Sequence, residues 1–443
     1  MKILIINTSD TSGGAARAAF RLHEVLQQKN VDSLMLVADK KSDVYSVITL
    51  PNERLIEKIR NNLDKVIRIV FARLSLVKYK KTMTKNFGPF SPQTVSNKKL
   101  VKTINEINPD VVHLHWICGG FLSIEDIAKI NTPIVWSLHD IWAFTGGCHL
   151  AAEHVSSQDG KERPSCDKYN VMCDKYTKNC GNCDFLGSRK TNDLSFKILQ
   201  RKKKVFTKIK SMTIIGLSNW MLDCAKSSSV FLNKKVIKLS NPINTSVYKP
   251  FDKELSRKLF NLPGNRKLVL FGAVAATSTP FKGFMELIEA SNKINTPNVE
   301  FVVFGSSKPE NPPSFSCKVH YLGYLHDDIT LVLLYSACDV MVVPSKRENL
   351  SNAIMESLSC GTPVVCFDIG GNSDMVNHKI NGYLAQPFDT FDLARGIDWV
   401  LNNENYDELS KNARKKVIRE FDYDVLVNKY INLYEEIIEQ ASS

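Results

Sequence analysis

The chain has 443 residues, 43% of them hydrophobic, and a formal net charge of +12 at pH 7. This length exceeds one ordinary core and predicts about two domains of roughly 200 residues each. The sequence has no apolar run of the roughly 20 residues that span a bilayer and no secretory-signal pattern at residues 1–7, so we expect a globular cytoplasmic protein. The positive charge predicts an anionic partner, and nucleotide, nucleic acid and membrane surface all fit at this level.

Short aliphatic runs alternate with helix-length segments, which predicts parallel strands joined by crossover helices. The first set of runs comprises residues 2–8, 33–39, 110–116, 133–140 and 212–218, and the second comprises 267–276, 299–305, 338–345 and 362–368. The proline-punctuated segment 240–251 between the sets is interpreted as a linker. We therefore expect an α/β fold of two Rossmann-like domains, 1–241 and 242–424, facing across a cleft. A helix at 425–443 could then pack back on the first domain.

Two loops that follow predicted strands contain residues suited to ligand binding. After the first strand, Gly13 and Gly14 allow the backbone to approach a ligand before an alanine-rich helix begins, although a tight turn also explains them. In the second domain, Lys282 and Gly283 follow a strand, where the lysine can meet a diphosphate or remain a solvated surface residue.

The segment 344–368, PSKRENLSNAIMESLSCGTPVVCFD, is more specific. It predicts a loop with Glu348, then a helix whose start carries Asn349, Ser351 and Asn352. Free backbone N–H groups at a helix start favour sugar hydroxyls or phosphate. Glu356, about two turns into the helix, can accept hydrogen bonds from a vicinal diol such as a ribose, each worth roughly 1.5 to 3 kcal/mol.

Several motifs together resemble the retaining glycosyltransferases of family 4. They are the glutamates of the E-x7-E motif (348 and 356), CGTPVV (360–365), GGNSDMV (370–376), NGYLAQP (381–387), KG (282–283) and GGAARAA (13–19). HLHWICGGF (113–121) and WSLHDIWAFTGGCH (136–149) are similar to a subgroup that builds bacterial exopolysaccharide, capsule or colanic acid. The resemblance implies a GT-B fold and a reaction that moves a hexosyl group from a nucleoside diphosphate sugar to a glycan acceptor, which we expect to be lipid-linked.

The resemblance also implies roles for particular residues. Glu356 binds the ribose, Lys282 binds the diphosphate, and Glu348 with the following loop, Leu350 included, binds the donor sugar. His139 lies near the reacting centre, and no catalytic metal is required. Many relatives carry an arginine directly after the glycine that ends the first strand of the second domain, whereas Ala273 follows Gly272 here. Diphosphate binding is therefore expected to depend on Lys282 and helix N–H groups.

Five cysteines fall within or beside an insertion at 146–187, and the last two form a C-x2-C pair. Reduced thiols at this spacing predict a structural zinc site held by Cys148, Cys173, Cys180 and Cys183, with Cys166 and His149 as substitute ligands. Free thiols or a disulfide remain alternatives.

The segment 54–85 mixes basic and apolar residues at helical spacing. It predicts an amphipathic helix. This helix either packs on the sheet or docks on the anionic inner face of the cell membrane. Two other functions were considered: a sugar-nucleotide 2-epimerase with the same fold, and a basic zinc-bearing nucleic-acid-binding protein. The E-x7-E motif argues against the former, and the lack of a finger pattern with a recognition helix argues against the latter. We therefore expect no nucleic-acid partner.

Overall fold

A computed structural model of the protein describes residues 1–50, 55–83, 89–150, 173–273, 275–310, 314–325 and 327–442. The chain divides into two compact units. Unit 1 comprises Met1–Ser240 together with Val427–Ser443, and unit 2 comprises Asn241–Leu426.

Unit 1 is built on a parallel sheet that has seven strands within the described residues. The strands are β1 (Lys2–Ser9), β2 (Asp32–Asp39), β3 (Val47–Ile48), β4 (Val111–Leu114), β5 (Ile134–Leu138), β6 (Met212–Gly216) and β7 (Lys235–Lys238). Their order is β3-β2-β1-β4-β5-β6-β7. The central strands are buried on both faces, which explains their continuous aliphatic sequences.

Helices connect the strands of unit 1. They are α1 (Gly14–Gln28), α2 (Leu55–Leu74), α3 (Lys98–Ile107), α4 (Ile124–Ile127), α5 (Leu194–Phe206) and α6 (Asn219–Ser227). Asparagine, serine or aspartate side chains cap four of them, because each accepts a hydrogen bond from a backbone N–H of the first turn: Asn97, Ser123, Asp193 and Ser218.

Unit 2 contains a second parallel sheet, with six strands in the part of the chain that the structure describes. They are β8 (Lys267–Gly272), β9 (Val299–Phe304), β10 (Val319–Tyr321), β11 (Val340–Val343), β12 (Val364–Phe367) and β13 (Gly382–Ala385), in the order β10-β9-β8-β11-β12-β13. Its helices are α7 (Lys253–Leu259), α8 (Phe284–Ser291), α9 (Asp328–Ala337), α10 (Asn352–Ser359), α11 (Asn372–Met375), α12 (Thr390–Leu401) and α13 (Tyr406–Glu420). Two parallel-sheet α/β units confirm the prediction of two Rossmann-like domains.

The last helix, α14 (Tyr423–Ser442), begins in unit 2 and continues into unit 1 from Val427. Tyr430 and Tyr434 are buried within unit 1. Tyr434 Oη lies 2.7 Å from His113 Nδ1, and Tyr430 Oη donates a hydrogen bond to the carbonyl of Ser240 at 3.2 Å.

Both sheets reverse their strand order at one point, between β1 and β4 in unit 1 and between β8 and β11 in unit 2. In sheets of this kind, ligands bind beyond the carboxyl ends of the strands that flank the reversal. The loops after these four strands are therefore the places to look for a site.

Candidate functional site

The loop after β8 brings Lys282 to the end of β11. Lys282 ends a short 3-10 helix, Pro280–Lys282, and Gly283 follows with φ 78°. A Cβ atom at Gly283 would lie 1.8 Å from the carbonyl oxygen of Pro344, so a side chain cannot fit there. The glycine thus allows the loop after β8 to pack directly against the loop after β11.

Lys282 and Glu348 form an ion pair at this point, with Nζ 2.9 Å from Oε2. Both side chains remain partly accessible, at 25% and 13% of their full exposure. Gly370, in the loop after β12, packs directly against the backbone of Glu348, because a Cβ atom at Gly370 would lie 1.8 Å from the Glu348 carbonyl oxygen. Two residues separated by 66 positions thus meet where the strand order of unit 2 reverses.

The start of α10 follows directly. Ser351 is the N-cap residue, but its side chain makes no capping hydrogen bond, so the first-turn N–H groups receive nothing from it. The partial positive charge of the helix start therefore follows Glu348 closely in the sequence. Leu350 and Ser351 are buried, so Leu350 can offer a ligand only its backbone.

Glu356 lies in the second turn of α10 and is 3% exposed. Its Oε2 accepts a hydrogen bond from Tyr335 Oη at 2.9 Å. Sequence reasoning did not find Tyr335, because it lies in the apolar helix α9 and gives no local signal. The hydrogen bond holds one carboxylate oxygen in place.

The glycine pair at the start of α1 is open. Gly13 is the N-cap residue with φ 92°, and no heavy atom lies within 4 Å of the position that a Cβ atom would occupy. Gly14 begins the helix. These two residues belong to unit 1, whereas the other residues predicted to bind the donor belong to unit 2.

His139 follows β5 and lies against a second histidine. Its Nε2 is 2.8 Å from His115 Nδ1, and the two rings stack. Burial lowers the pKa of His139 to about 4 and holds the pKa of His115 well below its ordinary value, so both imidazoles are neutral near pH 7. His115 Nε2 is buried without a hydrogen-bond partner among the described residues. Sequence reasoning missed His115, although the alternation in HLHW was a signal for it.

Asp140, next to His139, carries a carboxylate whose side chain is 18% exposed. Its Oδ2 accepts hydrogen bonds from Trp116 Nε1 at 2.9 Å and from His149 Nδ1 at 2.6 Å. Burial alone would raise the pKa of Asp140, but His149, the backbone N–H of Trp142 and the Trp116 indole together lower it. Asp140 is therefore an ionised carboxylate that fixes the loop after β5.

The four cysteines predicted to bind zinc line one cavity in unit 1, namely Cys148, Cys173, Cys180 and Cys183. All four are free thiols. The substitute ligand His149 bonds Asp140 and, through Nε2, Ser91 Oγ at 2.8 Å. Cys166 lies outside the described residues.

In the basic segment, α2 (Leu55–Leu74) and the 3-10 helix Val77–Tyr79 that follows it expose an apolar stripe, called the apolar stripe of α2 below. The exposed members are Leu63, Val66, Ile67, Val70, Phe71, Leu74 and Val77. They recur at helical spacing, and the exposed basic residues Arg73, Lys78, Lys80 and Lys81 accompany them. Within the described ranges, no helix has the length and apolar character needed to span a bilayer.

Comparison with known proteins places this geometry in context. Residues 252–416, which lie within unit 2, match the family model described as glycosyl transferases group 1. An uncharacterized glycosyltransferase of Methanocaldococcus jannaschii is 30% identical over 192 residues, which is 41% of this chain and 48% of that protein. The N,N'-diacetylbacillosaminyl-diphospho-undecaprenol alpha-1,3-N-acetylgalactosaminyltransferase of Campylobacter jejuni is 28% identical over 219 residues, 47% of this chain and 56% of that protein.

The chain thus spans about half the length of the curated relatives it matches. Among solved structures, a sucrose-phosphate synthase from Thermosynechococcus elongatus superposes with a TM-score of 0.66 at 16% identity and covers 100% of both chains. That likeness concerns the fold alone. Together with the two parallel-sheet units, it confirms the predicted GT-B fold class.

Proposed function

We propose that the protein is a glycosyltransferase that moves a hexosyl group from a nucleoside diphosphate sugar to a glycan acceptor with retention of anomeric configuration. The observation that carries this proposal is the Lys282–Glu348 ion pair at the strand-order reversal of unit 2. It lies within the segment that matches the glycosyl transferase group 1 model. A cation and a carboxylate side by side suit a ligand with an anionic half and a hydroxyl-rich half.

The donor is assigned to unit 2. Lys282 Nζ binds the diphosphate, with support from the N–H groups of Asn349, Ser351 and Asn352 at the start of α10. Glu348 accepts hydrogen bonds from hydroxyls of the transferred sugar. Glu356, which Tyr335 already orients at 2.9 Å, accepts the ribose hydroxyls. Gly13, which has no heavy atom within 4 Å of its Cβ position, and Gly14 are assigned to a further donor contact at the start of α1.

The proposed step breaks the bond between the anomeric carbon and the diphosphate oxygen. It forms a bond from that carbon to the acceptor oxygen on the same face of the sugar. The acceptor proton passes to the leaving phosphate oxygen, so no side chain is consumed. Lys282 and the helix start stabilise the negative charge that grows on the diphosphate, an electrostatic contribution that is often the largest in such reactions. No part of this step requires a catalytic metal ion.

His139 is assigned to the acceptor side of the reaction. Because burial lowers its pKa to about 4, its imidazole is neutral at pH 7 and can hydrogen-bond an uncharged hydroxyl. Its contact with His115 Nδ1 fixes the orientation of the ring. The carboxylate of Asp140 holds the same loop through Trp116 and His149.

The acceptor is proposed to be lipid-linked and the pathway to be surface polysaccharide synthesis. The name of the Campylobacter jejuni relative specifies a diphospho-undecaprenol acceptor. The exposed apolar stripe of α2, with Arg73, Lys78, Lys80 and Lys81, supports docking on an anionic membrane surface at the cytoplasmic face. Each basic residue near such a surface contributes roughly 1 kcal/mol.

A product assay tests the function. The purified chain is incubated with each of a panel of nucleoside diphosphate hexoses, with and without a polyprenyl diphosphate-linked sugar, and the products are resolved by mass spectrometry and NMR. We expect a glycosylated acceptor with the donor's anomeric configuration and release of nucleoside diphosphate. Conversion of the donor alone to its 2-epimer would show the epimerase instead. An inverted product would contradict the retaining mechanism.

A further inference from the structure

The cavity lined by four cysteines in unit 1 is distinct from the donor-binding residues of unit 2. Cys148 comes from the loop after β5, Cys173 precedes a short 3-10 helix, Lys175–Thr177, and Cys180 and Cys183 form a C-x2-C turn before α5. Separate stretches of chain therefore bring four thiols to one place. Cys148 and Cys183 are close enough for a hydrogen bond between their sulfur atoms.

Backbone N–H groups point at three of these sulfur atoms. Cys183 is approached by the N–H groups of Leu186 and Phe185, Cys173 by that of Lys175, and Cys180 by that of Gly146. Burial opposes these contacts and raises the pKa of Cys173 and of Cys180, so the N–H groups orient the sulfur atoms rather than hold them as anions.

A buried cation lies beside the same cavity. Lys202 is fully buried in α5, and its ammonium donates to the carbonyls of Trp142 and Thr145, the latter at 2.9 Å. Its electrostatic neighbours are Cys118, Cys180, Asp140 and Cys148. Two of the four cysteines and the Asp140 carboxylate thus share the surroundings of this buried ammonium.

The side chains as placed do not close around a single point. In the described part of the chain, no three or more His, Cys, Asp or Glu side chains are arranged so that they could hold a metal ion. Rotation about a cysteine χ1 angle moves the sulfur atom without moving the backbone. Whether the four cysteines can bind one metal ion therefore depends mainly on where their backbone lies. The shared cavity and the position of Lys202 do not depend on the cysteine rotamers, whereas the N–H contacts to the sulfur atoms do.

We propose that Cys148, Cys173, Cys180 and Cys183 bind one Zn²⁺ ion as thiolates. Four thiolates around Zn²⁺ carry a net charge of two minus, which Lys202 and the N–H donors offset. Binding converts four thiols to thiolates and releases their protons to solvent, with no change of oxidation state. The ion would tie the loop after β5, which carries His139 and Asp140, to the segment that leads into α5.

Metal analysis of the full chain, purified under reducing conditions without a polyhistidine tag, tests the site. We expect about one zinc per chain. Cys183→Ser should lose most of it, whereas Cys317→Ser should keep it, because Cys317 is a half-buried thiol in unit 2, outside the cluster. Cobalt exchanged into the wild-type chain should give the intense visible absorption of a tetrahedral site with a sulfur-to-metal charge-transfer band.

Other outcomes overturn the proposal. They are a wild-type chain with no bound metal and freely reactive thiols, iron with acid-labile sulfide, or a disulfide between two of the four cysteines seen as the loss of two hydrogens. If Cys183→Ser does not fold, release of zinc from the wild-type chain by a thiol-modifying reagent, followed with a chromogenic chelator, decides in its place. Zinc that is retained after all thiols are modified would contradict thiolate ligation. None of these results bears on the proposed transferase activity.

Discussion

The two units place different chemistry at the ends of their strands. In unit 2, a lysine and a glutamate of opposite charge meet while still partly accessible to solvent. In unit 1, His113, His115 and His139 lie together with depressed pKa values, because burial disfavours their charged form. Under the proposed function, the ion pair of unit 2 suits the anionic donor, and the neutral imidazoles of unit 1 suit the acceptor hydroxyl that receives the sugar.

A fall in pH should produce the largest difference in folding stability between the two units. Burial lowers the pKa of His23 and of His139 to about 4 and that of His113 to about 3, all in unit 1. The unfolded chain protonates these groups near pH 6.5, so unit 1 should lose stability as the pH falls from 6.5 toward about 4, whereas the contribution of these three histidines stays constant above pH 6.5. We expect a loss of several kcal/mol by pH 5, at about 1.4 kcal/mol per histidine and pH unit.

Hydrogen exchange with mass spectrometry, corrected for the intrinsic pH dependence, reads out each unit separately. Peptides of unit 1 should lose protection below pH 6.5 before those of unit 2. Equal loss in both units would show that the buried imidazoles do not distinguish them.

Among the substitutions, replacement of Lys282 in unit 2 should have the largest effect on activity. Lys282→Met deletes the proposed diphosphate ligand and leaves Glu348 without its partner, so we expect kcat/KM for the donor to fall by about 10² to 10³. Lys253→Met is a matched control, because Lys253 also pairs with a carboxylate in unit 2, that of Asp339, which keeps Arg257. The control should retain activity in a nucleotide-release assay. A loss of similar size in both variants would remove the special role of Lys282.

Replacement of His139 in unit 1 should lower activity less than replacement of Lys282. His139→Gln keeps a hydrogen-bonding group but changes its position, and we expect a fall in turnover of about tenfold to a hundredfold. His320→Gln is the control, because His320 is also hydrogen-bonded, to Glu300 at 2.7 Å, but lies in unit 2. Near-normal turnover of His139→Gln in the product assay would show that this residue is not near the reacting centre.

The apolar stripe of α2 gives a third contrast. Phe71→Asp replaces an exposed apolar side chain with an anion, and we expect about tenfold weaker binding to vesicles of anionic lipid, since burying a phenylalanine contributes roughly 1.5 to 3 kcal/mol. Leu232→Asp is the control, since Leu232 is an exposed hydrophobic residue of unit 1 outside the stripe. Flotation at low salt measures both. Wild-type chain that fails to float would contradict membrane docking.

The smallest effect is expected from Tyr335→Phe. It removes the hydrogen bond to Glu356 Oε2 without changing the ring, at a cost of about 0.5 to 1.5 kcal/mol. The KM for the donor should rise several-fold with little change in kcat. Tyr248→Phe removes a comparable bond to Asp328, 2.7 Å long, and should leave the KM unchanged. If steady-state kinetics show the same KM for both variants, Glu356 does not bind the donor.

Much of the fold could be predicted from the sequence, because buried parallel strands are continuous aliphatic runs and the pattern repeats twice. The sequence also indicated Lys282 and Glu348 separately. Their contact could not be predicted from spacing, since it depends on β8 and β11 being neighbours and on Gly283 packing against Pro344. Local patterns thus identify the groups, and strand order decides which of them meet.

Two other residues show what a closer reading could and could not find. Lys202 lies in the basic run RKKK (201–204) but is fully buried. Its spacing from Leu194, Ile198 and Phe206 places it on the apolar face of α5, so helical periodicity was a usable signal. Tyr335 gave no such signal, because its hydroxyl meets Glu356 only through the packing of α9 near α10.

Calorimetric titration of the chain with nucleoside diphosphates that differ in base tests the central claim most directly. Unit 2 should bind at least one of them, the matching monophosphate should bind far more weakly, and Lys282→Met should bind the diphosphate about tenfold or more weakly than the parent, as expected for loss of a charge-assisted contact. A chain that binds none of them, or a Lys282→Met variant that binds as tightly as the parent, would contradict the assignment of the Lys282–Glu348 pair to the donor.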